Sequence, residues 1–235
     1  MSLSTIACGT ISLVLALFRL SQRYQIEMGR LWAKSLLWIS RTKVEIHGIE
    51  KIDPNGSYVF VSNHLSYMDT PVVFSSIPVQ FRFLAKKGLF QIPFLGWHLH
   101  TAGHIPVPRE DPRSSLRTLS RAAELIQTHS ISLLIFPEGG RTMDGELHDF
   151  KDGAAYLAIK AQAPLVPLAL TGTREILPMG SATIRHGRVR LQVGDPIPAA
   201  GMTLHDRKRL TEAAREQVAA MLARKGRAGS LSPVK

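Results

Sequence analysis

The sequence predicts an α/β fold in which a mixed, largely parallel sheet is flanked by helices. Short apolar runs of strand length alternate along the chain with longer segments whose apolar residues recur at helical spacing. The 235 residues suit one domain with a sizeable core, and they contain no internal repeat and no dividing linker. We therefore assign residues 42–225 to one domain, between a membrane-associated segment (residues 1–41) and a flexible basic tail (residues 226–235).

The N-terminal segment contains two apolar stretches. Leu3–Phe18 is nearly continuous apolar sequence, but it is shorter than the roughly 20 residues that span a bilayer. The second stretch, over residues 28–39, combines tryptophans with arginine and lysine, which suits an amphipathic helix at a membrane interface. We interpret residues 3–40 as a pair of helices resting in one leaflet. The alternatives are one short transmembrane anchor and a soluble helical hairpin that caps the core.

The remaining elements follow from hydrophobic periodicity. Strands are predicted over residues 42–48, 58–61, 81–85, 103–108, 131–136 and 165–170. Helices are predicted over residues 113–128, 154–161 and 203–222, and Leu116 is expected to face the core from the first of these. Residues 183–193 alternate basic and apolar side chains, which predicts a half-exposed edge strand or hairpin with a basic outer face.

The stretch Asn63–Asp69 joins the strand over 58–61 to a predicted helix. Thr70 is the expected N-cap and Pro71 the first helical residue, which places Asp69 in the turn just before that helix. In α/β folds reactive groups lie at the carboxyl ends of strands. A neutral His64 imidazole can take a proton from an attacking hydroxyl, while the Asp69 carboxylate fixes its tautomer and stabilises the imidazolium. The alternative is that Asp69 caps the helix and His64 bonds to the backbone.

Three further stretches follow this pair along the chain. They are GHIPVPR at residues 103–109, FPEGGRT at 136–142 and LVPLAL at 165–170. Taken in order after Asn-His-(four residues)-Asp, they resemble the four sequence blocks of the glycerolipid acyltransferases, and most closely those of the 1-acylglycerol-3-phosphate O-acyltransferases. The resemblance runs from about residue 43 to about residue 198.

The resemblance implies that residues of these blocks bind the glycerol-phosphate acceptor. It assigns Glu138 and Arg141 to that site, where Gly139 and the next glycine allow backbone N–H groups to approach an anion closely. A plain turn after a strand is the alternative. The block departs from the family at Gly140, where threonine is common, so a hydroxyl contact is either missing or replaced by a backbone one.

Basic residues elsewhere are expected to hold the substrate phosphate. Either Lys86 or Lys87 resembles the family's lysine before a Leu-Phe pair, and the sequence does not decide between them. A solvated strand end is the alternative for both lysines. The planar fork of Arg109 matches phosphate geometry, with a surface ion pair as the alternative. Pro108 departs from the acidic residue that many relatives carry before this arginine.

Composition limits the kinds of binding partner and cofactor that the chain can have. The net charge of +11 indicates a polyanionic partner, either an anionic membrane surface or phosphorylated substrates, since no nucleic-acid-binding signature is present. The single cysteine, Cys8, excludes an intrachain disulfide framework and a thiolate zinc site. Histidine spacing offers no metal-ligand motif, and no glycine-rich phosphate loop or nucleophile elbow occurs, so neither metal nor cofactor is expected.

Together with the family resemblance, these observations predict a membrane-associated O-acyltransferase on the cytoplasmic face of the inner membrane. The expected reaction moves an acyl group from acyl-CoA or an acyl carrier protein to lysophosphatidic acid, with no covalent acyl-enzyme. The same chemistry on a lyso-ornithine lipid or glycerol 3-phosphate is one alternative. A non-catalytic protein that binds anionic membranes is the other, although such a binder needs no histidine–carboxylate pair.

Overall fold

The computed structural model describes residues 22–108, 110–181 and 183–224. The first predicted N-terminal helix, Arg109 and the basic tail lie outside these ranges. Within them one sheet contains β1 (Thr42–His47), β2 (Val59–Ser62), β3 (Phe81–Lys86), β4 (Ile105–Val107), β5 (Ser132–Ile135), β6 (Leu165–Thr171) and β7 (Gly187–Val193). The strand order is β1-β7-β6-β2-β5-β3-β4, with β6 and β7 antiparallel and the other neighbouring pairs parallel.

Helices cover both faces of the sheet. They are α1 (Gln22–Ile39), α2 (Asp69–Ser76), α3 (Leu95–Thr101), α4 (Pro112–His129), α5 (Gly153–Ala161), α6 (Thr173–Ile176) and α7 (Arg207–Ala223). Helices α1 and α2 pack into one apolar cluster with inward residues of the strands, whereas α4, α5 and α7 pack into a second cluster on the opposite face. The predicted α/β fold with a mixed, mostly parallel sheet is thus confirmed.

Strand β2 shows why the central strands read as continuous apolar runs. Phe60 belongs to the cluster under α1 and α2, while Val59 and Val61 belong to the cluster under α4 and α5. A parallel strand covered on both faces buries every side chain, so it carries no polar alternation. Pairing with β5 and β6 on either side places the carboxyl end of β2 in the middle of the sheet.

Three details differ from the sequence prediction. Strand β7, predicted as an edge strand or hairpin, is an interior strand between β1 and β6. Its alternate apolar residues are buried in the core. Its outward residues Arg188 and Arg190 form ion pairs with Glu45 of β1 at 3.1 and 3.3 Å, which accommodates their charge beside a neighbouring strand. Helix α2 already begins at Asp69, and Thr70 is not its cap. Leu116, expected in the core, is 47% exposed because the inward face of α4 is turned toward Leu119 and its neighbours.

The parallel arrangement assembles the predicted motifs at one edge. Strands β2, β3 and β5 are neighbours and run in the same direction, so the segments that follow them meet beyond their carboxyl ends. Those segments contain His64, Lys87 and Glu138. Across residues 22–108, 110–181 and 183–224, no helix has both the length and the apolar character needed to cross a membrane.

Candidate active site

The centre of the site is the turn after β2. Nδ1 of His64 lies 2.8 Å from Oδ2 of Asp69, and both side chains are buried. The same carboxylate oxygen accepts the backbone N–H groups of Leu65 and Ser66 at 2.7 and 2.8 Å. These bonds turn the carboxylate back toward the loop, which explains why the side chain is oriented toward His64 although Asp69 is the first helical residue. With a carboxylate at Nδ1, that nitrogen carries the ring proton and Nε2 is the acceptor.

Two polar side chains hold this turn in place. The Asn63 side-chain amide donates to the Leu170 carbonyl at 3.0 Å and its oxygen accepts the Leu170 N–H at 2.8 Å, which ties the turn to β6. The Ser66 hydroxyl donates to the Leu177 carbonyl at 2.7 Å and accepts the Met68 N–H at 3.0 Å. Ser66 thus has a structural role in the turn, and the clamp by Asn63 is not evident from the sequence.

Phe136 is a site residue that the sequence prediction treats only as the end of a strand. Its ring stacks on the His64 imidazole, with centroids 3.8 Å apart and planes inclined by 12°. The contact fixes the plane of the imidazole, because rotation of the ring about its side-chain bonds would collide with the phenyl face. The position directly before the Pro-Glu-Gly-Gly stretch is the only sequence signal for this contact.

The loop after β5 lies directly against the histidine turn. Oε1 of Glu138 accepts the His64 backbone N–H at 2.7 Å, and Oε2 accepts the His148 backbone N–H at 3.2 Å. The Thr142 N–H donates to the His64 carbonyl at 3.1 Å. Burial raises the pKa of Glu138, and the two backbone N–H groups oppose that shift. The carboxylate thus joins the two loops through their backbones.

Arg141 and Gly139 belong to the same loop. Nε of Arg141 donates to the Ser66 carbonyl at 3.2 Å, and its guanidinium lies 4.3 Å from the centroid of the Tyr67 ring. Gly139 adopts φ +82°, a left-handed conformation that favours glycine. The structure therefore brings His64, Asp69, Glu138, Gly139 and Arg141 together.

The predicted lysines lie at the same edge of the sheet but farther along it. Lys86 ends β3 and is exposed, with its Nζ 3.9 Å from a carboxylate oxygen of Glu110. Lys87 begins the short 3₁₀ helix Lys87–Gln91 and is also exposed. Arg109 lies outside the described residues. Within the described ranges, no group of three or more His, Cys, Asp or Glu side chains is arranged to hold a metal ion.

Two cavities adjoin the site on opposite faces of the sheet. One, of about 70 Å³, is bounded by α1, α2, α3 and β3, and its lining includes Trp32, Phe74, Phe83 and Thr70, the neighbour of Asp69. His98 also lines this cavity, and burial lowers its pKa to about 4, so the ring is neutral near pH 7. The other cavity, of about 170 Å³, lies between α4 and the loop after β5.

Comparisons with known proteins identify the family of this chain. A family model described as Acyltransferase matches residues 43–171, more than half of the chain. The chain is 37% identical over 186 residues to the chloroplastic 1-acyl-sn-glycerol-3-phosphate acyltransferase BAT2 of Brassica napus, a match that covers 78% of this chain and 53% of the relative. It is 28% identical over 189 residues to the human 1-acyl-sn-glycerol-3-phosphate acyltransferase alpha, covering 80% of this chain and 67% of the relative.

The fold also has a counterpart among solved structures. The crystal structure of the 1-acyl-sn-glycerophosphate (LPA) acyltransferase PlsC from Thermotoga maritima superposes with a TM-score of 0.78 at 24% sequence identity. The superposition covers 94% of this chain and 91% of the other. The sequence matches to the plant proteins are shorter relative to those proteins: the chain spans about half of the length of the Brassica relative.

Proposed function

Since the chain belongs to the acyltransferase family, we propose that it transfers a fatty acyl group from an acyl thioester to the free hydroxyl of lysophosphatidic acid, which yields phosphatidic acid. The observation that carries this proposal is the buried 2.8 Å contact between His64 Nδ1 and Asp69 Oδ2. A protein that only binds membranes has no need of a buried base with its orienting carboxylate. The names of the relatives indicate the acceptor.

The proposed mechanism is a direct transfer with His64 as general base. Nε2 of His64 removes the proton of the acceptor hydroxyl while the hydroxyl oxygen attacks the carbonyl carbon of the thioester. The C–S bond then breaks, and the imidazolium returns the proton to the leaving thiolate. Asp69 stabilises the imidazolium between these two proton transfers and holds the tautomer that leaves Nε2 as the acceptor. The proton taken from the acceptor hydroxyl thus leaves on the thiol product, and no acyl group is attached to the protein at any step.

The acceptor phosphate is proposed to bind on the basic side of this centre. Arg141 supplies a guanidinium anchored by the Ser66 carbonyl and Tyr67, and Lys86 or Lys87 supplies further positive charge at the same sheet edge. Arg109, which lies outside the described residues, is proposed as a further phosphate ligand from its place in the sequence. Glu138 and Gly139 contribute through the loop itself. The Glu138 carboxylate fixes the loop to the His64 backbone, and Gly139 permits its left-handed turn.

The acyl chain of the donor is proposed to enter the apolar cavity bounded by α1, α2 and α3. Aromatic walls such as Trp32 and Phe74 suit a hydrocarbon chain, and the neutral state of His98 avoids placing a charge in them. The cavity reaches Thr70, next to the catalytic carboxylate. A chain bound there would present its thioester beside His64.

A membrane surface is the proposed location, on the cytoplasmic face of the inner membrane. Tyr24, Leu31 and Trp38 are 59, 57 and 81% exposed and recur every seventh residue along one side of α1. Such an apolar stripe at the outer face of a helix suits insertion into a lipid headgroup layer. The net charge of +11 adds attraction to anionic lipid.

The reaction is tested with detergent-purified protein, lysophosphatidic acid, and acyl-CoA or an acylated carrier protein as donor. We expect phosphatidic acid from the wild type and a loss of about 100- to 10,000-fold in turnover for His64→Ala, the usual contribution of general-base catalysis. Phosphatidic acid formation by His64→Ala at the wild-type rate contradicts the mechanism. If folded wild type is inactive with both donors, lyso-ornithine lipid and glycerol 3-phosphate are the next acceptors, and inactivity with these contradicts catalysis altogether.

A further inference from the structure

The larger of the two cavities, of about 170 Å³, is lined by one positively charged side chain that the proposed mechanism does not use. Its walls are mainly apolar and include Leu84, Leu119 and Phe136, the residue whose ring stacks on His64. Lys151 also lines it, next to Gly139. An ammonium beside a mainly apolar cavity, one wall of which is the ring that stacks on His64, suggests a charged ligand at that position.

The loop after β5 holds Lys151 in this position. The Lys151 N–H donates to the Pro137 carbonyl at 2.9 Å, which attaches its backbone to the loop. The side chain then passes over Gly139: a Cβ built on that glycine would lie 2.7 Å from Nζ and 3.1 Å from Cε. A glycine at residue 139 therefore serves two purposes, since it adopts the left-handed turn and leaves space for the ammonium.

Among the residues that the structure describes, Lys151 Nζ has no carboxylate within salt-bridge distance, and the side chain is exposed. The adjacent carboxylate of Asp152 is paired instead with Arg207, whose Nε lies 3.0 Å away. Lys151 is therefore a positive charge positioned against the active-site loop and open to an anion from solution.

We propose that Lys151 binds the phosphate of the acceptor, as a further substrate-binding residue of the proposed acyltransferase. This inference rests on the proposed function and deepens it. The acceptor's phosphate is separated from its reacting hydroxyl by only a few bonds, so it must lie close to His64 when the hydroxyl does. The phosphates of a coenzyme A donor are separated from the thioester by the whole pantetheine arm, which places them farther from the loop that carries the ammonium.

The test compares Lys151→Met with Lys151→Arg and with the control Lys160→Met. Lys160 is an exposed lysine of α5 that lines neither cavity. We expect Lys151→Met to raise the KM for lysophosphatidic acid about tenfold with little change in kcat, which corresponds to the loss of one hydrogen bond to a charged group. Lys151→Arg should restore most of the affinity, and Lys160→Met should match the wild type.

Two substrate pairs identify which phosphate is bound. With monoacylglycerol, which lacks the phosphate, Lys151→Met should keep the wild-type KM. With acyl-CoA and a short acyl-pantetheine thioester as donors, the donor KM should change equally little for both. Inorganic phosphate should inhibit the wild type in competition with lysophosphatidic acid and should inhibit Lys151→Met about tenfold more weakly. Melting temperatures of all variants establish that they are folded.

The contrary results are distinct. The assignment of the acceptor phosphate is overturned if Lys151→Met raises the KM for monoacylglycerol by the same factor as the KM for lysophosphatidic acid. It is also overturned if the only KM that rises is the one for acyl-CoA. An unchanged KM in a folded Lys151→Met protein overturns any role for the lysine, while wild-type formation of phosphatidic acid leaves the proposed function intact. If Lys151→Met does not fold, an unaltered KM for lysophosphatidic acid in the uncharged Lys151→Gln overturns the proposal. Inactivity of the wild type refutes the proposed function itself.

Discussion

Replacing Asp69 with asparagine removes one charge from the centre of the site and changes its shape little. Three donors converge on Oδ2 of Asp69: His64 Nδ1 and the N–H groups of Leu65 and Ser66. The other oxygen, Oδ1, is buried and has no hydrogen-bond partner in the described part of the chain. The amide oxygen of asparagine can take the place of Oδ2, which leaves its NH₂ group at the unpartnered position.

The structure sets the size of two separate effects. A buried NH₂ group without an acceptor costs about 1–3 kcal/mol, and the three remaining bonds lose their charge-assisted part, so we expect a loss of about 2–5 kcal/mol in the free energy of unfolding. The turnover number should also fall, because no negative charge then faces the imidazolium that forms during the reaction. We expect a loss in kcat of up to about 10,000-fold, the upper end of the range for His64→Ala and the magnitude seen when a catalytic histidine loses the carboxylate that orients it.

The assay measures both quantities on the same preparation. Urea unfolding gives the free energy, and initial rates with lysophosphatidic acid give kcat under conditions where the variant remains folded. Asp53→Asn is the matched control, since Asp53 is an exposed turn residue that bonds to Asn55 at 2.9 Å. The control should keep the wild-type kcat and lose less than about 0.5 kcal/mol. A folded Asp69→Asn protein with kcat within tenfold of the wild type would refute the role of the carboxylate.

The remaining predictions concern other parts of the site. Phe136→Leu should lower kcat about 2- to 10-fold, the worth of an aromatic pair, and a wild-type kcat would show that the stacking on His64 is catalytically neutral. Arg141→Met should raise the KM for lysophosphatidic acid at least about tenfold while the KM for monoacylglycerol stays constant; equal changes contradict phosphate binding. His98, with a pKa lowered to about 4 by burial, stabilises the fold above pH 6.5 and loses that contribution as pH falls toward 4. The free energy of unfolding of the wild type and of His98→Gln is measured by urea unfolding at pH 7.5 and at pH 5. Between these pH values the wild type should lose about 2 kcal/mol more of that free energy than the variant. An equal loss in both proteins contradicts burial of a neutral ring.

Much of the site could be read from local sequence. The interval between His64 and Asp69 is short enough for one turn to bring the two side chains together, whatever the rest of the chain does. The apolar runs before His64 and before the Pro-Glu-Gly-Gly stretch predict strands, and parallel strands carry the residues that follow them to one edge. Pairing of His64 with Asp69 and the location of Glu138 and Arg141 nearby were therefore predictable.

Other features depend on contacts between segments that are distant in sequence. Phe136 stacks on His64, Asn63 bonds to Leu170, and Glu138 accepts the His64 N–H, each across 70 or more residues. Periodicity identifies a strand but not its neighbours, so the interior place of β7 was also missed. Nothing in the spacing of Gly139 and Lys151 shows that the glycine makes room for an ammonium.

The sequence by itself determined the pairing of His64 with Asp69, because one short turn contains both partners and its hydrogen bonds are local. Only the tertiary structure decided how that pair is supported, which cation faces the loop, and which strand lies inside the sheet. The physical reason is that these contacts are selected by strand order and side-chain packing, to which residues from the whole chain contribute at once. A local sequence pattern identifies one of the two residues in such a contact, and the fold decides which residue it meets.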